Sequence, residues 1–282
     1  MKIRFGHSPD PDDAFMFYAI AKEKIRCDPF VIDHVIEEIE RLNQRALRGE
    51  LEVTAISMHA YASCADKYRL LSCGASIGDG YGPVLVSKRP IHSKGLRGKR
   101  IGIPGALTTA NLVLKLYEEG YIESFLPFDE ILPAVQSGKV DAGLLIHEGQ
   151  ITYADLGLKK IVDLGVWWKE RTGLPLPLGV DVIRKDIPQG IAEEFDTLFR
   201  KCIQYSLDHR KEAVAYALQF GRGLKAEKAD RFIGMYVNQD TLDYGERGKE
   251  AIQTLFKEAE AKRLIPSGIH PEFVRSEVSV KP

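Results

Sequence analysis

Strand patterns and helix patterns alternate over about the first 185 residues, and this alternation restricts the fold more than any other feature. Short apolar runs predict strands at residues 3–6, 53–57, 70–73 and 100–103. Between them, residues 36–48 carry apolar side chains at helical spacing, which predicts a helix. Strands that alternate with helices usually form a parallel sheet covered by helices. We therefore predict an α/β fold with a largely parallel sheet.

The chain of 282 residues is long enough to form two lobes. We expect the first lobe to comprise residues 1–88 and 181–282, with residues 89–180 inserted as the second lobe. Two crossover strands, at residues 83–88 and 178–184, would join the lobes. The pattern after about residue 185 is mostly helical, so the second part of the first lobe is predicted to be mostly helical.

The composition excludes several classes of partner. A formal net charge of −1 gives no basis for binding nucleic acid or an anionic membrane, and 44% hydrophobic residues is an ordinary content for a globular protein. No apolar stretch at the N-terminus is long enough for a signal peptide, and no run of about 18 apolar residues occurs. We expect a cytoplasmic protein. The sequence does not indicate the oligomeric state.

The residues that usually hold metals or cofactors are not grouped. The four cysteines form no CxxC pair, and the seven histidines show no HxH or HExxH spacing. Gly74-Ala-Ser-Ile-Gly78 matches the G-x-S-x-G string of serine hydrolases, but residues 79–83 cannot begin the helix that this motif requires. We therefore expect free thiols, no metal, no cofactor and no nucleophilic Ser76.

A histidine follows one of the predicted strands directly. The apolar run at residues 142–146 ends in His147-Glu148-Gly149. In open α/β sheets, ligands bind at the carboxyl ends of the strands. A histidine there can take or give a proton near neutral pH, so His147 is a candidate general base, unless it only caps the strand. Glu148 is expected to point to solvent, because adjacent strand residues face opposite sides.

Two predicted strands lead directly into helix starts. Thr108, Thr109 and Ala110 follow a strand and a Gly/Pro turn, and Ser57 ends another strand. The free amides at a helix start favour an anion, and the hydroxyls of Thr108 and Thr109 would add donors. We therefore expect this turn to hold a carboxylate, unless Thr108 or Thr109 is a plain N-cap. At the first helix of the chain, Asp10 is expected to be the N-cap. We expect the strand ends at residues 6, 57, 103 and 147 to converge on one cleft.

Many short segments, in order along nearly the whole chain, carry a resemblance to one family. They include Ser8-Pro-Asp-Pro-Asp-Asp-Ala-Phe15, Leu42-Asn43, Ala60-Tyr-Ala62, Thr108-Thr-Ala110, Ile146-His-Glu148, Thr152-Tyr153, Asp163-Leu-Gly165, Arg171-Thr-Gly-Leu-Pro-Leu-Pro-Leu-Gly179 and Tyr236-Val-Asn238. With these segments the chain resembles the 1,4-dihydroxy-6-naphthoate synthase family of menaquinone biosynthesis (futalosine pathway).

The resemblance implies both a fold and an activity. The fold would be two-lobed and like that of type II periplasmic binding proteins. The activity would be that of a carbon–carbon lyase that converts cyclic de-hypoxanthine futalosine, a carboxylated compound with a ribose-derived ring, to 1,4-dihydroxy-6-naphthoate without a cofactor. His147 matches the family's catalytic base. The family's substrate contacts fall on Ala55, Ile56, Ser57, Thr109 and Ala110.

One segment departs from the family's pattern. Family members commonly have Ser-Pro-Cys-Pro-Asn-Asp-Thr-Phe near the start, whereas this chain has Asp10, Asp12 and Ala14 in place of Cys, Asn and Thr. The departure leaves open a paralogue that acts on a related compound. Two further functions fit the same fold: that of the chorismate dehydratase of the same pathway, and that of a non-catalytic protein that binds a small anion.

Overall fold

The computed structural model describes residues 1–92, 94–221 and 223–275. Their strands lie in a six-stranded and a five-stranded sheet. In chain order the strands are β1 (Lys2–His7), β2 (Val31–Ile36), β3 (Val53–Ser57), β4 (Tyr68–Leu70), β5 (Ser76–Gly78), β6 (Val84–Ser87), β7 (Arg100–Ile103), β8 (Ile122–Phe125), β9 (Ala142–Leu145), β10 (Lys159–Asp163) and β11 (Leu176–Arg184).

Helices cover both sheets. In chain order they are α1 (Pro11–Ala21), α2 (Ile39–Leu47), α3 (Met58–Tyr61), α4 (Thr109–Tyr117), α5 (Phe128–Ser137), α6 (Gly149–Thr152), α7 (Leu164–Thr172), α8 (Gln189–Asp208), α9 (Arg210–Ala217), α10 (Ala226–Tyr236), α11 (Gln239–Leu242) and α12 (Gly245–Ala261). None of the described helices is both long enough and apolar enough to cross a membrane.

Both sheets are mixed, so the expectation of a largely parallel sheet is wrong. In the first sheet the order is β2-β1-β3-β11-β4, and β5 also pairs with β11. β1 is parallel to β2 and β3, whereas β11 is antiparallel to β3, β4 and β5. In the second sheet the order is β10-β6-β9-β7-β8, with β6 antiparallel to both of its neighbours. In each sheet the antiparallel strand is the one that the chain enters on arriving from the other lobe: β6 in the second sheet and β11 in the first.

The chain passes between the lobes before β6 and again before β11. β6 lies wholly in the second sheet and β11 wholly in the first. The expected lobe boundaries, 88/89 and 180/181, therefore fall beyond β6 in one case and inside β11 in the other. The sheets place the two changes of lobe between residues 78 and 84 and between residues 163 and 176. The second part of the first lobe is mostly helical, as expected.

An aromatic cluster fixes the start of α1 against β1. The rings of Phe5 and Phe17 lie edge to face with centroids 4.4 Å apart, and Phe195 and Phe199 of α8 pack against Phe5. Burial of aromatic side chains is a large stabilising contribution, and pairs at this geometry add about 0.5–1.5 kcal/mol each. Because residues 11–20 of α1 are buried, this helix lies inside the lobe and holds the preceding loop in place.

A second core joins the two lobes. It contains Ile56 and Val182 of the first sheet, Ile101 and Leu144 of the second, and Trp168 of α7. The indole N–H of Trp168 donates to the carbonyl of Pro175 at 3.1 Å, just before β11. The lobes therefore share apolar packing on the side of α4 and α7.

Two predicted elements differ from those in the structure. Residue 36 ends strand β2, and α2 begins only at residue 39, so the predicted helix at residues 36–48 was too long. β2 was missed because Asp33 and His34 interrupt its apolar pattern, which an edge strand tolerates on its exposed side. The predicted strand at residues 70–73 is β4, which ends at residue 70.

Candidate functional site

A cavity lies between the sheets at the carboxyl ends of β1, β3, β7 and β9. The last residues of β3 and residues that follow β1, β7 and β9 line it, so the expected convergence of strand ends is present. All seven predicted site residues line this cavity: Ala55, Ile56, Ser57, Thr108, Thr109, Ala110 and His147. The cavity also exposes residues that the sequence did not single out as ligand contacts: Ser8, Asp10, Asp12, Asp13, Gln150, Asp181 and Tyr236.

His147 occupies a backbone conformation that few residues adopt. Its φ is +57°, the left-handed region in which histidine, asparagine and aspartate are enriched among non-glycine residues. Unfavourable backbone conformations of this kind often occur at functional sites. The imidazole is 14% exposed and packs edge to face against Phe128, with ring centroids 4.9 Å apart. Its Nε2 is buried and has no hydrogen-bond partner among the described residues.

Asp10 contacts the other nitrogen of this imidazole. Its Oδ2 lies 3.0 Å from Nδ1 of His147 and also accepts a hydrogen bond of 2.6 Å from the Ser8 hydroxyl. Asp10 is at the N-cap position of α1, as expected, but its side chain makes no capping hydrogen bond. A carboxylate beside Nδ1 favours the tautomer with the proton on Nδ1. The lone pair of Nε2 is then free to accept a proton inside the cavity.

The N-terminus of α4 lies across the cavity. The Thr108 hydroxyl caps this helix by accepting from the Asn111 N–H at 3.2 Å. The Thr109 hydroxyl donates to the Leu178 carbonyl at 2.6 Å and accepts from the His59 N–H at 3.2 Å. The two hydroxyls are therefore occupied, contrary to our expectation that they would add donors for a carboxylate. The backbone N–H groups of Thr109 and Ala110 are still available to a ligand, because no hydrogen bond among the described residues uses them.

Ser57 supplies a third donor to the same cavity. Asn43 of α2 is buried and makes two hydrogen bonds with Ser57. Its Nδ2 donates to the Ser57 hydroxyl at 3.1 Å, and its Oδ1 accepts from the Ser57 N–H at 2.8 Å. The Ser57 hydroxyl accepts one hydrogen bond and keeps its own proton for a ligand. Ser57 and the two amides of α4 together can bind a carboxylate.

Several carboxyl groups also line the cavity. Burial raises the pKa of Asp12 and of Asp181 well above the usual range, and raises that of Asp13 to about 6, against the hydrogen bond that Asp13 accepts from the Ser8 N–H at 2.7 Å. None of the described lysines and arginines lines the cavity. The cavity therefore contains no ion pair between these carboxyl groups and a described lysine or arginine.

Gln150 and Tyr236 connect the His147 backbone to the first lobe. In the amide orientation that satisfies both of its ends, Gln150 donates to the Gly82 carbonyl at 2.6 Å and accepts from the His147 N–H at 3.2 Å. The hydroxyl of Tyr236, on α10, lies 2.7 Å from the Gln150 side chain. These contacts help to hold the unusual backbone of His147.

A wider groove leads to the cavity from the outside. It has a volume of about 630 Å³ and runs between residues 38–41 and residues 125–129. Ile39, Ile146 and His147 line both the groove and the cavity, so His147 lies where the two meet. Among the described residues, no group of three histidine, cysteine or acidic side chains is arranged to hold a metal ion.

Comparison with known proteins indicates one family. A family model described as menaquinone biosynthesis matches residues 3–261. The chain is 41% identical to the 1,4-dihydroxy-6-naphthoate synthase of Thermus thermophilus, over 96% of this chain and 99% of that protein. It is 34% identical to the protein of the same name from Streptomyces coelicolor, over 94% and 95% of the two chains.

Solved structures agree with the two-lobed fold. A crystal structure of a protein from Archaeoglobus fulgidus superposes with a TM-score of 0.91 at 53% identity, covering 94% of this chain and 98% of that one. A Candida albicans protein described as having the generic periplasmic binding protein fold superposes with a TM-score of 0.67 at 15% identity, over all of both chains. The expected periplasmic-binding-protein-like fold is thus confirmed.

Proposed function

The chain belongs to the menaquinone-biosynthesis family, and on that premise we propose that it converts cyclic de-hypoxanthine futalosine to 1,4-dihydroxy-6-naphthoate as a carbon–carbon lyase. One observation carries the proposal: Nε2 of His147 is buried at the cavity without a partner among the described residues, while Asp10 holds Nδ1. This is the arrangement of a general base that awaits its substrate.

The carboxylate of the substrate binds at the start of α4 in this proposal. The amides of Thr109 and Ala110 and the Ser57 hydroxyl surround the anion, and the positive end of the helix dipole favours it. Because these donors are fixed by Thr108 and Asn43, little reorganisation is needed when the substrate enters. Binding at this point orients the carbocycle that bears the carboxylate toward His147.

The proton-transfer step falls to His147. Nε2 takes a proton from the carbocycle, and the electron pair of that C–H bond becomes part of the aromatic naphthalene, whose formation supplies the driving force. The carbon–carbon bond to the ribose-derived ring breaks at the same time, its electron pair leaves on the ribose-derived fragment, and the imidazolium returns the proton to that fragment. The imidazolium that results lies beside the carboxylate of Asp10, which stabilises the charge. In this mechanism Asp10 is a positioning residue, since it acts through His147.

Two other functions explain fewer features of the site than the proposed lyase does: binding of an anion without catalysis, and dehydration of chorismate. A protein that only binds an anion needs donors, which α4 and Ser57 supply, but it needs no base held by a buried aspartate. A chorismate dehydratase would also bind a carboxylated six-membered ring, and the assay must therefore include chorismate.

The direct test is turnover by the purified protein. Cyclic de-hypoxanthine futalosine and chorismate are each incubated with the protein in the presence of a chelator and without an added cofactor, and the products are separated by liquid chromatography. We expect 1,4-dihydroxy-6-naphthoate from the first substrate and no reaction of the second. Turnover of chorismate alone, or of neither compound, contradicts the proposal.

A further inference from the structure

Asp181 lies in an apolar strand and has an unpaired carboxyl oxygen. The residue is 1% exposed and stands in β11 between Val180 and Val182, which are also buried. Oδ1 has no hydrogen-bond partner among the described residues. An unsatisfied buried polar group typically destabilises a fold by about 1–3 kcal/mol. An apolar side chain would suit this position better, unless a ligand supplies the missing partner.

The register of the strands places Asp181 close to the carboxylate donors. Asp181 pairs with Ala55, and Gly179 pairs with Ser57. Because strand residues alternate between faces, Asp181 and Ser57 lie on the same face, separated along the strand by two residues, or about 7 Å. Both line the cavity. Gly74 leaves room for the carboxyl group, since a Cβ atom there would come within 2.2 Å of Oδ2 of Asp181.

A second carboxyl oxygen of the cavity residues also lacks a partner. Oδ1 of Asp12 is buried and unpartnered among the described residues, and Asp12 lines the same cavity. Asp181 is therefore not the sole source of hydrogen bonds that the described part of the protein does not use.

We propose that Asp181 forms a subsite that binds the hydroxyl groups of the substrate. The proposal rests on the function given above, in which the substrate carries a ribose-derived ring, and it assigns that ring to this subsite. The ligand would be a carboxylate with hydroxyl groups roughly 7–8 Å away from the anion, which is the diagonal spacing between residues on neighbouring strands. A hydroxyl group suits this subsite because it both donates and accepts hydrogen bonds.

The raised pKa of Asp181 agrees with a hydroxyl partner. Burial raises the pKa of this carboxyl group well above its usual range, and none of the described lysines and arginines lines the cavity to counter it. A neutral carboxyl group offers one donor and one acceptor. An ammonium group would instead require an ionised carboxylate.

Two substitutions at residue 181 separate a ligand contact from a structural role. Asp181→Asn keeps a donor and an acceptor, whereas Asp181→Val keeps neither and matches the neighbouring valines. For Asp181→Val we expect kcat/KM with cyclic de-hypoxanthine futalosine to fall by about 5- to 150-fold, the equivalent of one buried hydrogen-bonding group left unpaired. Asp181→Asn should stay within about threefold of the unmodified protein. The Tm of Asp181→Val should not fall.

A pair of simple ligands tests the subsite without turnover, so that its failure is distinct from failure of the proposed function. Shikimate carries a ring carboxylate and three hydroxyl groups, and cyclohexene-1-carboxylate is the matched probe without hydroxyls. By calorimetric titration we expect the unmodified protein and Asp181→Asn to prefer shikimate, and Asp181→Val to lose that preference. The proposal is overturned if the unmodified protein shows no preference, or if Asp181→Val retains it.

Discussion

Replacing Asp10 by asparagine removes a negative charge from beside the imidazole of His147 while it preserves the size of the side chain. In the structure Oδ2 of Asp10 lies 3.0 Å from Nδ1 of His147, and Asp10 is 1% exposed, so solvent screens this contact little. When His147 takes the proton from the substrate, the contact becomes a hydrogen bond between two charged groups. Such a bond contributes about 1.5–3 kcal/mol.

The magnitude of the effect follows from that range. Loss of about 1.5–3 kcal/mol from the transition state lowers kcat by about 10- to 150-fold. The assay is steady-state formation of the naphthoate, with thermal unfolding measured in parallel.

An aspartate elsewhere in the same lobe gives the matched control for this substitution. Asp33 lies on β2 and forms a half-exposed ion pair with Lys2, remote from the cavity lining. Asp33→Asn should leave kcat unchanged, since exposed ion pairs contribute little. If Asp10→Asn folds and retains the kcat of the unmodified protein, Asp10 does not act through His147 and the reasoning is refuted.

Three further predictions concern the other walls of the cavity. Ser57→Ala removes a donor to the carboxylate, so KM should rise about tenfold or more with little change in kcat; an unchanged KM in steady-state kinetics would move the carboxylate elsewhere. Thr109→Val removes the hydroxyl that is hydrogen-bonded to both Leu178 and His59. Thermal unfolding should therefore show a lower Tm, by the equivalent of about 1–3 kcal/mol, with a nearly unaltered KM. A large rise in KM at constant Tm would instead make this hydroxyl a ligand donor. Asp181→Asn should stabilise the protein more at about pH 8 than at about pH 4.5. The pKa of Asp181 is raised on folding, so its stabilising contribution is lost as the pH rises above the pKa that this residue has in the unfolded chain. Denaturant unfolding that shows an equal gain in stability at the two pH values would contradict that sign.

The sequence predicted the parts of the site that follow from local pattern. The apolar run before His147, and the helix starts after residues 57 and 108, are features of a few neighbouring residues, and the structure brings all of them to one cavity. The mixed sheets were not predictable in this way. The direction in which β11 enters the first sheet depends on how the chain returns from the other lobe, and no local pattern encodes that.

The contacts that the sequence did not predict are long-range. Asp10 fits an N-cap pattern so well that its sequence neighbours gave no reason to expect it beside His147, far along the chain. Local pattern predicted that the Thr109 hydroxyl would be a ligand donor, whereas in the structure it is hydrogen-bonded to Leu178 and His59. Asp181 alone carried a usable signal, since a charged residue between Val180 and Val182 is out of place in an apolar strand.

The most direct test of the account is the kcat of His147→Asn. Asparagine adopts the left-handed backbone of residue 147 readily, so the loop should keep its shape, but its amide cannot accept a proton. We predict a fall in kcat of about two to four powers of ten with the Tm and the affinity for 2-naphthoate, a probe that bears only the carboxylate, nearly unchanged. A variant that folds, binds the probe and turns over at the rate of the unmodified protein would contradict the account.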